Sequence, residues 1–333
     1  MTFFPTGAPA PRATGSWHPD VLGEGWEQRT LHLGTDDEGP VDVTLVRLTR
    51  GPRRDRAVLY VHGFVDYFFQ THVGEALDAA GWDFYAVDLR RYGRSLRPGQ
   101  TANLVDDLAV HAEDLDAALA VVRDDEHHDR IAVLGHSTGG LIASLWANAR
   151  PGRIDALVLN SPWLELNDTA FMRTVGTQAL RVLGRVAPRT VVGHLAPHYG
   201  RALHTSTGGE WDYDLAWKPI EGFPVRARWI ASVRRAHARV ARGLDVTCPV
   251  LVLTSDATGD HKNDHPDVLT TDSVLSVEQT AALAPGLGAD VTYEQIPGGA
   301  HDLALSPEPA RSQYLARVVG WLDEVVPPGT QAL

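Results

Sequence analysis

From Thr30 onward the chain alternates short apolar, β-branched runs with amphipathic stretches. The runs cover residues 41–48, 57–61, 83–88, 131–134, 156–159, 250–253 and 290–296. Between most of them the apolar positions change to a helical period, as over 105–123, where Leu108, Ala112, Leu115 and Leu119 share one face. Strand and helix patterns in alternation predict an α/β fold, a mostly parallel sheet flanked by helices on both faces. The alternation stops between Ser161 and Gly243. There two helical patterns stand alone, over 169–186 (Phe171, Met172, Val175, Ala179, Val182) and 225–242 (Ile230, Val233, Val240), with a Gly- and Trp-rich loop between them. This predicts an inserted helical cap, or lid, over 162–242, and a core made of 29–161 and 243–333. Residues 1–28 are rich in Pro, Gly and Trp without periodicity, and an irregular surface segment is expected there.

Composition narrows the function classes. The 333 residues carry 30 Lys+Arg against 42 Asp+Glu, and a net charge of −12 repels phosphate backbones, so nucleic acid is not an expected partner. One cysteine, Cys248, excludes an internal disulfide and any multi-cysteine metal site; beside Pro249 at the start of an apolar run it reads as a small buried hydrophobe. No stretch has the length of a membrane span and the N-terminus lacks a basic, then apolar, leader pattern, so a cytoplasmic location is expected. The helical pattern over 225–242 carries Arg226, Arg228, Arg234, Arg235, Arg239 and Arg242, expected to be a solvated face.

The strongest chemical signal is Gly135-His136-Ser137-Thr138-Gly139, set between the buried run 131–134 and the helical pattern 141–149. A serine at a sharp strand-to-helix turn has its hydroxyl exposed above the sheet and close to a helix N-terminus. His204-Thr205-Ser206-Thr207-Gly208 imitates the letters, but no strand precedes it and His204 replaces the first glycine, so Ser206 is not a candidate. A serine needs a base, and carbonyl attack needs donors for the developing oxyanion. The run 57–61 ends in His62-Gly63-Phe64, which points to the backbone N–H of Phe64 as one donor and that of Thr138 as the other, with His62 shaping the turn. His301, in the Pro297-Gly298-Gly299-Ala300-His301 loop after the last strand run, is placed to be the base. His261 and His265 have i, i+4 spacing, but Pro266 and the polar surroundings predict a loop, and no metal or cofactor is expected.

With these motifs in place, the chain resembles the α/β-hydrolases over roughly 40–325, most of all the monoacylglycerol-lipase and lysophospholipase-like branch often labelled with the serine aminopeptidase domain name. Asp88-Leu89-Arg90-Arg91-Tyr92-Gly93-Arg94-Ser95 is similar to that branch's D-x-R-G-x-G-x-S, with Arg91 where glycine is usual. The resemblance implies the order Ser, acid, His, met by Ser137, an aspartate after the run 250–253, and His301. Two aspartates compete for the acid. Asp256 follows the strand closely but opens a polar stretch; Asp272 is favoured because Val274, Leu275 and a helix start follow it.

The reading is a cofactor-independent serine hydrolase acting on small-molecule carboxylic esters with an apolar acyl group. A thioesterase, amidase, aminopeptidase or C–C hydrolase with the same three residues, or a silent ligand receptor, are the alternatives. His136, Trp163, Trp211, Trp217 and Trp229 are candidate substrate-binding residues.

Overall fold

Ala57-Val58-Leu59-Tyr60-Val61 contains no polar position, and it becomes the strand Arg56–Val61, buried at every residue. Ala57, Leu59 and Val61 enter one core cluster, and Val58 and Tyr60 enter the other. A strand apolar on both faces needs cover on both, which is why a parallel sheet lies between helix layers. The computed structural model describes residues 3–4, 15–167 and 176–329.

The main sheet has nine strands in the order β1-β2-β3-β5-β4-β6-β7-β10-β11. In chain order these are β1 (His18–Pro19), β2 (Trp26–Asp36), β3 (Gly39–Leu48), β4 (Arg56–Val61), β5 (Asp83–Asp88), β6 (Arg130–His136), β7 (Ala156–Asn160), β10 (Val250–Ser255) and β11 (Val291–Ile296). Strands β5, β4, β6, β7, β10 and β11 run parallel, and β3, β2 and β1 extend the sheet antiparallel from β5. One face is covered by α2 (His111–Ala120) and α3 (Thr138–Ala149), through Leu115, Leu119, Ile142 and Trp146. The other is covered by α1 (Thr71–Ala79) and α8 (Ala310–Val325), through Val73, Leu77, Tyr314 and Trp321. Chain order turns around at β4, with β5 on one side and β6 on the other. A crevice therefore opens beyond the C-terminal ends of β4 and β6, the position where open α/β sheets bind ligands.

Between β7 and β10 the chain leaves the sheet. The insertion contains α4 (Thr177–Val186), β8 (Val191–Gly193), α5 (His198–Leu203), β9 (Val225–Arg226) and α6 (Ala227–Val240), with β8 and β9 paired antiparallel. The helix expected over 169–186 is seen from Thr177; Phe171, Met172 and Val175 lie outside the described residues. A last helix, α7 (Val277–Leu283), precedes β11. No helix among the described residues is long and apolar enough to cross a membrane.

Two expectations are corrected. The segment 1–28 is not irregular throughout, because β1 lies within it and β2 starts at Trp26, which is buried. The pattern of β2 is obscured by its half-solvated antiparallel position and a bulge between His32 and Thr35. Nor is the arginine-rich helix one solvated face. Arg234 is buried, pairs with Glu165 and hydrogen-bonds Thr177 Oγ1 (3.0 Å) and His237 Nδ1 (2.8 Å), while Arg235 pairs with Asp107 at 2.6 Å. An arginine stem can lie along apolar surface while its head reaches an internal partner, and charge count alone does not reveal this.

Candidate active site

Strand β6 runs into α3 through a single strained residue. Ser137 has φ 51° and ψ −117°, a conformation that L-residues rarely hold unless their surroundings impose it. The surroundings here are closely packed. A Cβ on Gly139 would lie 2.3 Å from the His62 carbonyl oxygen, and one on Gly63 would lie 3.2 Å from the Ser137 Cβ. Side chains at either place would push the loop after β4 away from the elbow. Ser137 N–H donates to the Asn160 carbonyl at 3.0 Å, and the Ser137 carbonyl accepts from Trp163 N–H at 3.0 Å, so the end of β7 and its exit hold the turn from both sides.

The structure brings Ser137, His301 and Asp272 into one hydrogen-bonded line. His301 Nε2 is 3.1 Å from Ser137 Oγ; His301 Nδ1 is 3.0 Å and 3.1 Å from the two Asp272 carboxylate oxygens. Asp272 Oδ1 also accepts the N–H groups of Val274 (3.0 Å) and Leu275 (2.7 Å), and Ser137, His301 and Asp272 are all buried. Asp256 is elsewhere: it is exposed, and its carboxylate accepts Gly298 N–H at 2.9 Å. Asp272 is brought close to the end of β10 because its N–H donates to the Ala257 carbonyl (2.8 Å) while its own carbonyl accepts from Gly259 N–H (2.9 Å). The intervening polar residues form a loop whose two ends are tied together. Within that loop His261 contacts Asn167, and His265 contacts Ser273.

In the loop after β4, Gly63 N–H is directed to Asp66 (3.4 Å) and Val65 N–H to Asn103 (3.2 Å). Phe64 N–H and Thr138 N–H have no acceptor among the described residues. Unpaired backbone N–H groups next to the serine, and in the loop that packs against it, are the kind of donor a developing oxyanion requires. His62 is fully buried; Leu89 N–H donates to its Nε2 (3.0 Å), so Nδ1 donates to the Gly63 carbonyl (2.7 Å), and burial pushes its pKa down. The ring is a neutral brace for the loop.

The tryptophans divide. Trp229 stacks on Phe64 at 4.1 Å between ring centroids and lies 6.0 Å from Trp163, so both adjoin the candidate oxyanion loop. Trp211 instead donates to the Leu305 carbonyl (3.0 Å) and stacks on His72 (4.8 Å), and Trp217 meets Tyr67 edge-on at 5.1 Å. The structure gives these two the work of fastening the insertion to the sheet domain, and does not gather them with Ser137. His136 is buried with its ring 5.0 Å from that of His301, and burial pushes its pKa down.

Several supporting residues gave no sequence signal beyond adjacency. Asp302, next to His301, accepts from Asn160 Nδ2 (2.7 Å) and Gln70 Nε2 (3.1 Å); burial opposes its charge, but His136 and these donors hold its pKa below the usual range. Asn160 Oδ1 accepts from Leu303 N–H (3.2 Å), so one asparagine at the end of β7 ties down the two residues that follow His301. Lys218 Nζ lies 2.6 Å from Asp66 Oδ1 and joins the insertion to the loop after β4. In the 88–95 motif, Asp88 accepts Phe68 N–H and Arg94 N–H, both at 2.9 Å. Arg91 has φ 64°, which accounts for a preference for glycine at that place; its guanidinium pairs with Asp36 at 2.6 Å and lies away from Ser137.

Residues 52–308 match the family described as serine aminopeptidase, S33. A monoacylglycerol lipase of Mycolicibacterium smegmatis is 32% identical over 139 residues, 41% of this chain and 48% of that protein, so the match spans about half of the relative's length. Among solved structures, the Paleococcus ferrophilus monoacylglycerol lipase superposes with a TM-score of 0.62 at 22% identity, covering 80% of this chain and 93% of that one. A thermostable carboxyl esterase from Bacillus coagulans superposes with a TM-score of 0.64 at 16% identity, covering 90% and 98%. At these identities the superpositions establish the fold.

Proposed function

Because the chain belongs to the serine aminopeptidase S33 family of α/β-hydrolases, we propose that it cleaves carboxylic esters through an acyl-enzyme on Ser137. The observation that carries the proposal is the continuous line from Ser137 Oγ through His301 to the Asp272 carboxylate. In this mechanism Ser137 Oγ attacks the ester carbonyl as His301 Nε2 takes its proton. Asp272 keeps the other proton on Nδ1 and stabilises the imidazolium. The N–H groups of Phe64 and Thr138 receive the negative charge on the carbonyl oxygen, each worth about 3 kcal/mol in the transition state. His301 then protonates the departing alkoxide, and a water molecule activated by the same imidazole releases the acid.

The stacked pair Phe64 and Trp229, with Trp163 beside it, favours an apolar acyl group. In this reading residues 162–242 act as a cap over the crevice, anchored by Trp211, Trp217 and the Lys218–Asp66 pair. Two measurements test the proposal. A fluorophosphonate should label the native chain and not Ser137→Ala. A panel of esters of graded acyl length, run beside thioesters and aminoacyl amides, should show the highest kcat/KM for an ester; preference for either other class would replace the ester assignment while keeping Ser137.

A further inference from the structure

Away from Ser137, the insertion meets the turn before α2 around a cavity of about 470 Å3, within the range of about 300–1,000 Å3 typical of small-molecule sites. Its walls are Arg181 and Arg185 from α4, Arg228 and Arg235 from α6, and Asp106 and Asp107 from the turn. Four guanidinium groups face two carboxylates on a chain whose net charge is −12. The excess of positive charge is therefore local to the cavity.

The carboxylates are committed. Asp106 lies 3.2 Å from Arg228 and Asp107 2.6 Å from Arg235. Asp107 also accepts Ser232 Oγ (2.9 Å) and Ala109 N–H (3.1 Å), so it is held on the α6 side. Across the cavity, Arg181 and Arg185 have no carboxylate within 4 Å among the described residues. Arg181 reaches Gln178 Oε1 at 3.5 Å, and its Nε is buried without an acceptor. A buried charged donor left unpaired is costly, so such a group marks a place where an acceptor belongs. Small residues bring the two helices together here. A Cβ on Gly184 would lie 3.1 Å from the Ala227 carbonyl oxygen and 3.2 Å from the Ala231 Cβ, and Gly184 and Ala231 complete the cavity lining.

We propose that this cavity binds a phosphate-bearing anion, held by the Arg181 and Arg185 guanidinium groups and flanked by Arg228 and Arg235. A carboxylate engages one guanidinium fork, whereas a phosphate monoester carries about −1.5 to −2 charge at pH 7 and three terminal oxygens. That matches two uncompensated guanidinium groups. Arginine suits the task because its planar fork binds oxyanions bidentately and remains charged at all working pH values. The site is open to solutes, since Arg185, Arg228 and Arg235 are exposed. Its occupant would connect α4 to α6, the helix that also places Trp229 on Phe64.

The experiment is a titration of the full chain with inorganic phosphate and with glycerol phosphate, followed by calorimetry at constant ionic strength against sodium chloride. A flotation assay on phosphatidylcholine vesicles with and without phosphatidic acid runs beside it. Native protein, Arg181→Gln/Arg185→Gln and Arg185→Gln alone are compared; the single change at an exposed residue guards against misfolding, and ester hydrolysis by each variant should equal that of the native chain. Saturable binding of soluble phosphate, weakened at least tenfold in the double variant, supports the site with a free phosphomonoester as its ligand. Binding confined to phosphatidic acid vesicles and lost in the double variant supports it with a lipid headgroup as the source. No binding beyond the chloride control in either arm, or equal binding by native and double-variant protein, overturns it.

Discussion

The sheet and the insertion between β7 and β10 differ in how much of their order rests on apolar burial. Strands β4, β6, β7 and β10 are apolar along nearly their whole length and almost fully buried, so every side chain is fixed by neighbours on both faces. The insertion packs Trp229, Ile230 and Val233 of α6 into the same core, but leaves Val182, Val186, Val191 and Leu195 exposed, at 59%, 75%, 44% and 40% of their surface, and keeps charge inside as well. Arg234 pairs with Glu165 within it, and Arg235 with Asp107 and Lys218 with Asp66 join it to the rest of the chain. Apolar burial is non-directional and rewards any compact arrangement, while an ion pair or hydrogen bond stabilises one geometry and penalises its loss. The sheet thus supplies a platform for the elbow, and the insertion is joined to it by the apolar face of α6 and a few directional links.

The largest expected effect lies on the platform. Ser137→Ala should lower ester turnover by roughly 10⁴ to 10⁶ with an unchanged circular dichroism spectrum. Near-native turnover in that variant would mean that the chemistry belongs to the insertion or to another group. Next, Asp272→Asn should reduce kcat by about 10⁴, as when the base is left in the wrong tautomer, and Asp256→Asn should alter it far less. The reverse order would transfer the acid to Asp256.

Packing gives the intermediate effect. Leu159→Ala, at a fully buried position of β7, should cost about 2–5 kcal/mol in denaturant unfolding, whereas Val186→Ala on the exposed face of α4 should stay within about 0.5 kcal/mol. A large cost at Val186 would show that the apolar face of α4 is covered in solution. The smallest effect is electrostatic. Burial, with the Arg234 cation beside it, pushes the pKa of His237 down to about 3. The unfolded chain takes up a proton on this ring below about pH 6.5 and the folded chain does not, so stability falls as pH drops through that window, by about 2 kcal/mol between pH 7 and pH 5. His237→Gln should flatten that part of the unfolding profile, and an unchanged slope would show that His237 is not the group responsible.

How far each part could be read before folding follows the range of the forces involved. Strand-helix alternation, the strand-turn-helix setting of Ser137 and the loop that carries His301 are local patterns, set by periodicity and by backbone sterics within a few residues. They were therefore legible in the chain itself. Strand β2 was not, because a half-solvated antiparallel strand with a bulge loses its alternation. Local sequence favoured Asp272 over Asp256 as the acid without deciding between them, and the tertiary structure brings Asp272 to His301. That choice depends on hydrogen bonds tying Asp272 to Ala257 and Gly259 across a loop. It also decided that Trp163 and Trp229 adjoin the candidate site while Trp211 and Trp217 clasp the insertion, and that four arginines surround one cavity. These are relations between residues distant in sequence, and no periodicity records them, since each exists only when separately formed elements are packed together.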